Sequence, residues 1–185
     1  MSSWCNDCAL RLYNTKHHNL QGIGNPWSGN CIVVPNVDYD AYKRGNMSFS
    51  KHVEVIKEVL ISFTGDENSN LYVVPLIRCN ETISCQLDDA TYNKCLHWFA
   101  KDIKTFNFQN ILLLGDAAKR FMHTDIKSNL DKRFISKNNR NYFVNYSPLI
   151  SYVDQNKFDI FKKGLIKWYN AIIYNKFDTY ETIYV

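Results

Sequence analysis

The sequence predicts an α/β protein, a three-layer α/β/α sandwich around a central, mainly parallel sheet of four strands. Three observations lead there. Four short runs rich in aliphatic, β-branched or aromatic residues alternate with longer segments whose apolar residues recur at helical spacing. Two of those runs are apolar throughout, as strands buried on both faces are. The intervening segments are long enough to be crossover helices, which pair successive strands in parallel with right-handed connections.

Each element has its own warrant. Cys31-Ile32-Val33-Val34 is a continuous apolar run and reads as the first buried strand. Ser48 to Ile61 has no Gly or Pro, and Phe49, Val53, Ile56 and Leu60 fall on one helical face. Leu71-Tyr72-Val73-Val74 is the second strand, by its β-branched and aromatic content. Asp88-Asp89 supplies an acidic first turn to a helix whose inner stripe is Tyr92, Cys95 or Leu96, Phe99 and Ile103. Asn110 to Gly115 is the third strand, and Asp116 can cap a helix over Ala117–Met122. Asn141 to Tyr146 is the fourth strand, stopped by Ser147-Pro148. A last helix, from about Asp154 to Ile173, puts Phe158, Phe161, Leu165, Trp168 and Ile172 on one side. Ligands of open parallel sheets bind beyond the carboxyl ends of the strands. The segments to watch are therefore Pro35–Asp40, Pro75–Asn80, Gly115–Lys119 and Ser147–Tyr152.

A chain of 185 residues suits one domain, 1–185, with a core that needs no staples. Apolar residues at 45% and charged residues at 22% exclude wholesale disorder. No apolar run approaches the roughly 20 residues of a membrane span, and Met1-Ser2-Ser3-Trp4-Cys5 has neither the basic nor the apolar region of a signal peptide. The expected home is the cytoplasm, where thiols stay reduced, so the six cysteines do not read as three disulfides.

Charge is unevenly placed. Residues 1–100 carry 8 Lys/Arg against 10 Asp/Glu, and residues 101–185 carry 14 against 8. The densest basic stretch runs from Lys119 to Arg140 and includes Arg120, Lys127, Lys132, Arg133 and Lys137, with only Asp125 and Asp131 opposing. Such a stretch can attract phosphate backbones, or it can be a solvated surface in a Lys- and Asn-rich chain.

The cysteines have metal-ligand spacing. Cys5 and Cys8 form a Cys-x2-Cys pair, Cys79 follows a strand, and Cys95 lies on the next helix with 15 residues between them. Four thiolates can hold an iron–sulfur cluster or a structural zinc; the competing reading is ordinary buried cysteine. Cys31, opening a strand, reads as core packing, and Cys85, in a polar loop, as a free thiol.

In order and spacing the chain resembles the uracil-DNA glycosylase superfamily, most closely its iron–sulfur (family 4) branch, over roughly residues 5–170. The resemblance is carried by Cys5-Asn6-Asp7-Cys8, then Gly22-Ile23-Gly24-Asn25, then the strand from Cys31. It continues with the strand from Tyr72 into Arg78-Cys79, with Cys95, and with Leu114-Gly115-Asp116-Ala117-Ala118. It implies a glycosylase-like fold and a 4Fe–4S cluster on Cys5, Cys8, Cys79 and Cys95, with zinc as the alternative.

The catalytic positions depart from that family. Its first loop reads Gly-Glu-Ala-Pro-Gly, and here Pro35-Asn36-Val37-Asp38-Tyr39 takes its place. Phe49 stands where the family stacks an aromatic ring on the extruded base, and it can equally be a core residue of its helix. The family's uracil-reading Asn falls at Pro75, which has no side-chain donor. Its catalytic His falls at Ser147, in Tyr146-Ser147-Pro148. A hydroxyl donates a hydrogen bond but offers no cation, and about 2.7–4 kcal/mol rides on each such donor. Asp38 and Asp40 could activate water or be turn carboxylates. None of the five histidines falls at the family's catalytic position, and His97 reads as structural.

DNA binding can outlast the chemistry. Lys119 and Arg120 on the helix after Gly115, Lys132 and Arg133 in the basic stretch, and the Ser147-Pro148-Leu149 loop with its apolar Leu149 are the candidate contacts. The resulting expectation is a catalytically degenerate glycosylase homologue that binds DNA with little sequence specificity. A glycosylase of altered base specificity and an interaction module without DNA are the alternatives. By resemblance, a polymerase or other replication protein, or an acidic DNA-mimic inhibitor, would be a partner; no membrane is expected. The Asn- and Lys-rich composition hints at an AT-rich genome such as that of a mobile element.

Overall fold

A computed structural model describes residues 5, 8–14, 16–17, 19–65, 70–81, 89–122, 134–177 and 183–184. Strand β2 (Asn30–Val37) is central and pairs in parallel with both β3 (Tyr72–Asn80) and β4 (Asn110–Leu114). Beyond β4 comes β6 (Arg140–Asn145), also parallel. These four are the strands expected from sequence, and they form an all-parallel centre in the order β3-β2-β4-β6.

The full sheet is wider than the expected four strands, and it is mixed. The two-residue β1 (Ile23–Gly24) lies antiparallel on β3, and β5 (Phe134–Lys137) lies antiparallel on β6. A two-residue β7 (Ile183–Tyr184) extends β5, giving the order β1-β3-β2-β4-β6-β5-β7. The β5–β6 hairpin turns at Asn138-Asn139, both with positive φ (53° and 59°). That is the left-handed pair a two-residue hairpin loop requires, and Asn tolerates it.

Helices pack on both faces, and strand alternation divides the apolar residues into two cores. Cys31, Val33, Val74, Ile111, Leu113 and Val144 share one core with Leu10 of α1 (Ala9–Tyr13), Phe99 of α4 (Asp89–Phe106) and Ala117 of α5 (Asp116–Met122). Ile32, Val34, Val73, Leu112, Leu114 and Phe143 share the other with Ala41 of α2 (Tyr39–Arg44). That second core also takes Ile56 of α3 (Lys51–Thr64) and the fully buried Phe161, Leu165 and Trp168 of α6 (Gln155–Tyr174). Cys31 is wholly buried in the first core, as read from sequence; Cys85 lies outside the described residues. No helix among the described residues is long and apolar enough to cross a membrane.

Both ends of the parallel centre are tied by asparagines. At the amino end, Asn141 Nδ2 donates to Asn110 Oδ1 (3.0 Å), and Asn110 Nδ2 donates to Asn30 Oδ1 (2.9 Å), a ladder across three strands in register. At the carboxyl end, buried Asn14 accepts from the Asn80 N–H (2.8 Å) and donates to the Asn80 carbonyl (2.9 Å). Asn80 in turn donates its side-chain amide to the Val37 carbonyl (2.9 Å). The segment carrying the first two cysteines is thereby clamped to the end of β3.

Three local expectations are corrected. The helix expected over Ser48–Ile61 begins later: Met47–Phe49 is a 3-10 turn and α3 starts at Lys51, because the Ser50 hydroxyl caps it by accepting from the His52 N–H (3.2 Å). The second strand extends beyond the apolar run Leu71–Val74, through Pro75 to Asn80, so the segment set beyond its carboxyl end is part of it, in line with the strand into Cys79 that the resemblance implies. Proline is tolerated there because carbonyls Leu71 and Val73 face β1, so by strand alternation Pro75 faces the side where β1 has already ended. Likewise β2 runs on through Pro35 to Val37, taking in half of the expected first loop.

Asn145 joins this sheet to α6. Its buried amide donates to the Phe161 carbonyl (2.8 Å), and its oxygen accepts from the Tyr146 N–H (2.8 Å). Asn145→Ala is expected to cost about 1–3 kcal/mol, since both partners lose a buried bond. Urea unfolding at neutral pH measures it as a lower midpoint with an unchanged slope.

Candidate functional site

The four cysteines singled out by spacing meet at one recess. Cys8 is at the N-cap of α1, with its N–H bonded to the Cys5 carbonyl (3.3 Å) in a tight turn. Cys79 arrives through an irregularity at the end of β3. The β2–β3 register shifts between Asn36 and Val37, and Leu76, Ile77 and Cys79 all join the core on the α4 side. Cys95 is on the inner face of α4, near Tyr92 and Phe99 in that core. Cys5, Cys8, Cys79 and Cys95 line the recess together with Arg11, Asn19, Arg78, Lys94 and Trp98. Three of the thiols are nearly excluded from water, and Cys5 is half-buried.

Burial pushes the Cys79 thiol up to about 11 and the Cys95 thiol up to about 12. Main-chain hydrogen bonds from Asn19 to the first and from Arg78 to the second oppose the shift, and the neighbouring cysteines reinforce it. Burial thus favours the neutral form of Cys79 and Cys95, and a bound metal would deprotonate its thiol ligands and release protons. The donor chemistry fits a tetrathiolate centre. Arg11, Arg78 and Lys94 around the recess would complement its negative charge, and the buried Nε of Arg78 and Nε1 of Trp98 stand without partners. Among the described residues, however, no three His, Cys, Asp or Glu side chains are grouped closely enough to hold a single metal ion.

The carboxyl ends of β2, β3, β4 and β6 form the second region. The connection from β2 leads to the Ile56 core through α3, while that from β4 leads to the Phe99 core through α5. The crevice of the sheet therefore lies between the ends of β2 and β4. Gly115, in the left-handed region (φ 54°), brings the β4 end against Ser147; a Cβ there would stand 2.9 Å from that of Ser147. Ser147 is half-buried and caps nothing with its side chain. Pro148 is buried, and Leu149 is half-buried but belongs to neither core.

Other expected residues are not brought together here. Both Asp38 oxygens are engaged: one accepts from the Ala41 N–H (3.0 Å) to cap α2, the other from the Ser50 hydroxyl. That is the turn role, with each oxygen already accepting one hydrogen bond. Pro75 is buried within β3, whereas Tyr39 is exposed. Phe49 is 44% exposed, with the Arg44 guanidinium 4.4 Å above its ring. It lines an open groove of about 440 Å³ with Asp40, Arg44, Lys51 and Lys57, and neither Pro75 nor Tyr39 reaches that groove. Lys119 is exposed; Arg120 lies 3.9 Å over the Tyr92 ring. Lys132 and Arg133 fall outside the described residues.

Two residues at this end had no sequence signal. Glu81, just past β3, is hydrogen-bonded to the expected first-loop residue Asn36, and burial raises its carboxyl above the usual range while Arg120 opposes. His52 is buried behind Asp38 with neither ring nitrogen partnered, and burial lowers it to about 4 against the pull of Asp38. No protein-family model matches the chain, and no curated protein matches it either.

His52 sets a pH dependence. Its folded pKa lies below its unfolded one, so the unfolded chain binds a proton first, and its contribution is lost as pH falls from about 6.5 toward 4. The loss is on the order of 3 kcal/mol at the low end of that window. His52→Leu should flatten urea midpoints between pH 6.5 and pH 4 relative to wild type; an unchanged slope against pH would assign the effect elsewhere.

Proposed function

We propose that the protein is a catalytically degenerate homologue of the uracil-DNA glycosylases, a three-layer α/β/α domain that binds DNA or a replication or repair partner and excises little or no uracil. The observation that carries this reading is the meeting of Cys5, Cys8, Cys79 and Cys95 at one recess. Strand and helix packing alone gives no reason for thiols from three separate segments to converge. On this reading the four residues hold a 4Fe–4S cluster, with structural zinc the alternative. Such a group would cross-link the N-terminal turn, β3 and α4.

The loss of chemistry is argued from side chains. Pro75 offers no donor to a base, and Ser147 offers a hydroxyl where a cation is needed. Asp38 is committed to Ala41 and Ser50. DNA would meet Lys119, Ser147, Pro148 and Leu149 at the carboxyl end of the sheet, with phosphate attraction supplied also by the basic stretch through Lys132 and Arg133. Contacts of this kind carry little sequence information. The place of action is the cytoplasm, with a polymerase or an acidic DNA-mimic protein as the partner classes.

A second reading, a glycosylase of altered base specificity, is favoured by Glu81. A half-buried carboxyl held by Asn36 can accept from an amino-bearing base or orient water.

One experiment separates the two. Abasic-site formation is measured on single-stranded oligonucleotides carrying uracil or other modified bases, on protein assayed for iron, sulfide and zinc. Binding to undamaged DNA is titrated against salt in parallel. The degenerate reading expects no excision, and binding that weakens with salt by about 0.9 log units per log unit for each phosphate contacted on duplex. Uracil release at a normal enzyme rate overturns it. Release of another base, abolished by Glu81→Gln, establishes the second reading instead.

A further inference from the structure

Among the described residues seven buried side-chain nitrogen or oxygen atoms lack a hydrogen-bond partner, and three of them line the cysteine recess: Asn19 Oδ1, Arg78 Nε and Trp98 Nε1. Two of the three, Arg78 Nε and Trp98 Nε1, are N–H donors, and an unpartnered buried donor is costly, so the pair calls for an acceptor there; Asn19 Oδ1 is itself an acceptor. Neither N–H is hydrogen-bonded to a thiol in the chain by itself, so the sulfurs of a group held by the four cysteines are the acceptors that would meet them.

Arg78 is held independently of anything the recess contains. It is 2% exposed, its Nη1 donates to Gln21 Oε1 (3.2 Å), and its Nη2 pairs with the buried carboxylate of Asp102. Only Nε is left over. Trp98 stands three residues after Cys95 on α4, on the same helical face, with the Arg78 guanidinium 5.6 Å from its ring. Main-chain hydrogen bonds from Asn19 and Arg78 to the Cys79 and Cys95 sulfurs already run in this recess. N–H donation to sulfur is thus a repeated feature of the site.

We infer that Arg78 Nε–H and Trp98 Nε1–H are sulfur-directed donors that set the reduction potential of an iron–sulfur centre held by Cys5, Cys8, Cys79 and Cys95. This rests on the cluster reading proposed above. Arg78 and Trp98 are positioning and tuning residues, and they do not ligate. Each N–H···S bond withdraws charge from a thiolate and favours the reduced cluster, as does the guanidinium charge. Asp102 works against them by neutralising part of that charge.

The opposing signs supply the test. Full-length protein is reconstituted anaerobically, its iron and sulfide are measured, and the midpoint potential is read by electron paramagnetic resonance during a redox titration. Trp98→Phe keeps the ring face and deletes the donor, so its potential should fall below wild type. Asp102→Asn keeps an acceptor for Arg78 and deletes the negative charge, so its potential should rise. If Trp98→Phe fails to fold by circular dichroism, the direction of the Asp102→Asn shift decides. Wild-type iron and sulfide content with unmoved potentials in the folded variants overturns this inference and leaves the cluster reading standing. Wild-type protein that takes up no iron and sulfide, or holds zinc instead, overturns the cluster reading and this inference with it.

Discussion

Strands β2 and β4 lie side by side at the middle of the sheet with helices over both faces, and Cys31 to Val34 and Ile111 to Leu114 are wholly excluded from water. Full burial contributes about 1.5–3 kcal/mol for each large aliphatic side chain, so these eight positions outweigh any single polar contact in the molecule. With both faces buried, register has no freedom, because a slip by one residue would exchange the two cores. The asparagine ladder at one end and the Asn14–Asn80–Val37 ties at the other work within a register that packing already dictates.

The two candidate regions follow from that frame by different routes. The carboxyl-end crevice is topological: β2 sends its chain to one face and β4 to the other, so a gap between their ends is unavoidable. The cysteine recess depends on breaking a rule. Strand alternation would separate Leu76 and Ile77 onto opposite faces, yet both lie with Cys79 in the α4-side core where the β2–β3 register shifts. The same shift leaves Asn80 able to bind both Val37 and Asn14, so one irregularity presents a sulfur and anchors the segment that carries two more.

Most of the parallel centre was legible in the sequence, because uninterrupted apolar runs and helical stripes are strong signals over several residues. What escaped had weak or misleading local chemistry. Strands β1 and β7 are two residues long and carry no periodicity. Strand β5 sits within a stretch that reads as basic loop, and its hairpin turn uses Asn138-Asn139 rather than a Gly-containing pair. The apolar run Leu71–Val74 stops at Pro75, and that the strand continues past it depends on the end of β1 at its flank, which is a tertiary matter. Phe49 shared the spacing of α3 but lies before its cap. The convergence of four cysteines is anticipated by spacing and resemblance, whereas Glu81, His52 and Asn14 owe their environment to Asn36, Asp38 and Asn80, which are 45, 14 and 66 positions away.

Residues Tyr92 to Trp98 of α4 connect the two regions. Tyr92 packs under Arg120 at the carboxyl end and feels Glu81 and Asp116, while one turn later Cys95 and Trp98 face the recess. A group that cross-linked Cys95 to β3 and the N-terminal turn would also restrain Tyr92 on the same helix, and with it the Arg120 guanidinium over its ring. On the proposed reading the metal centre need take no part in base chemistry to matter for binding. It would fix the base of α4, and α4 would fix one wall of the surface that meets the nucleic acid. On that same proposed reading the four thiols would serve the fold, while Pro75 and Ser147 would stand where a uracil-DNA glycosylase carries out its base chemistry.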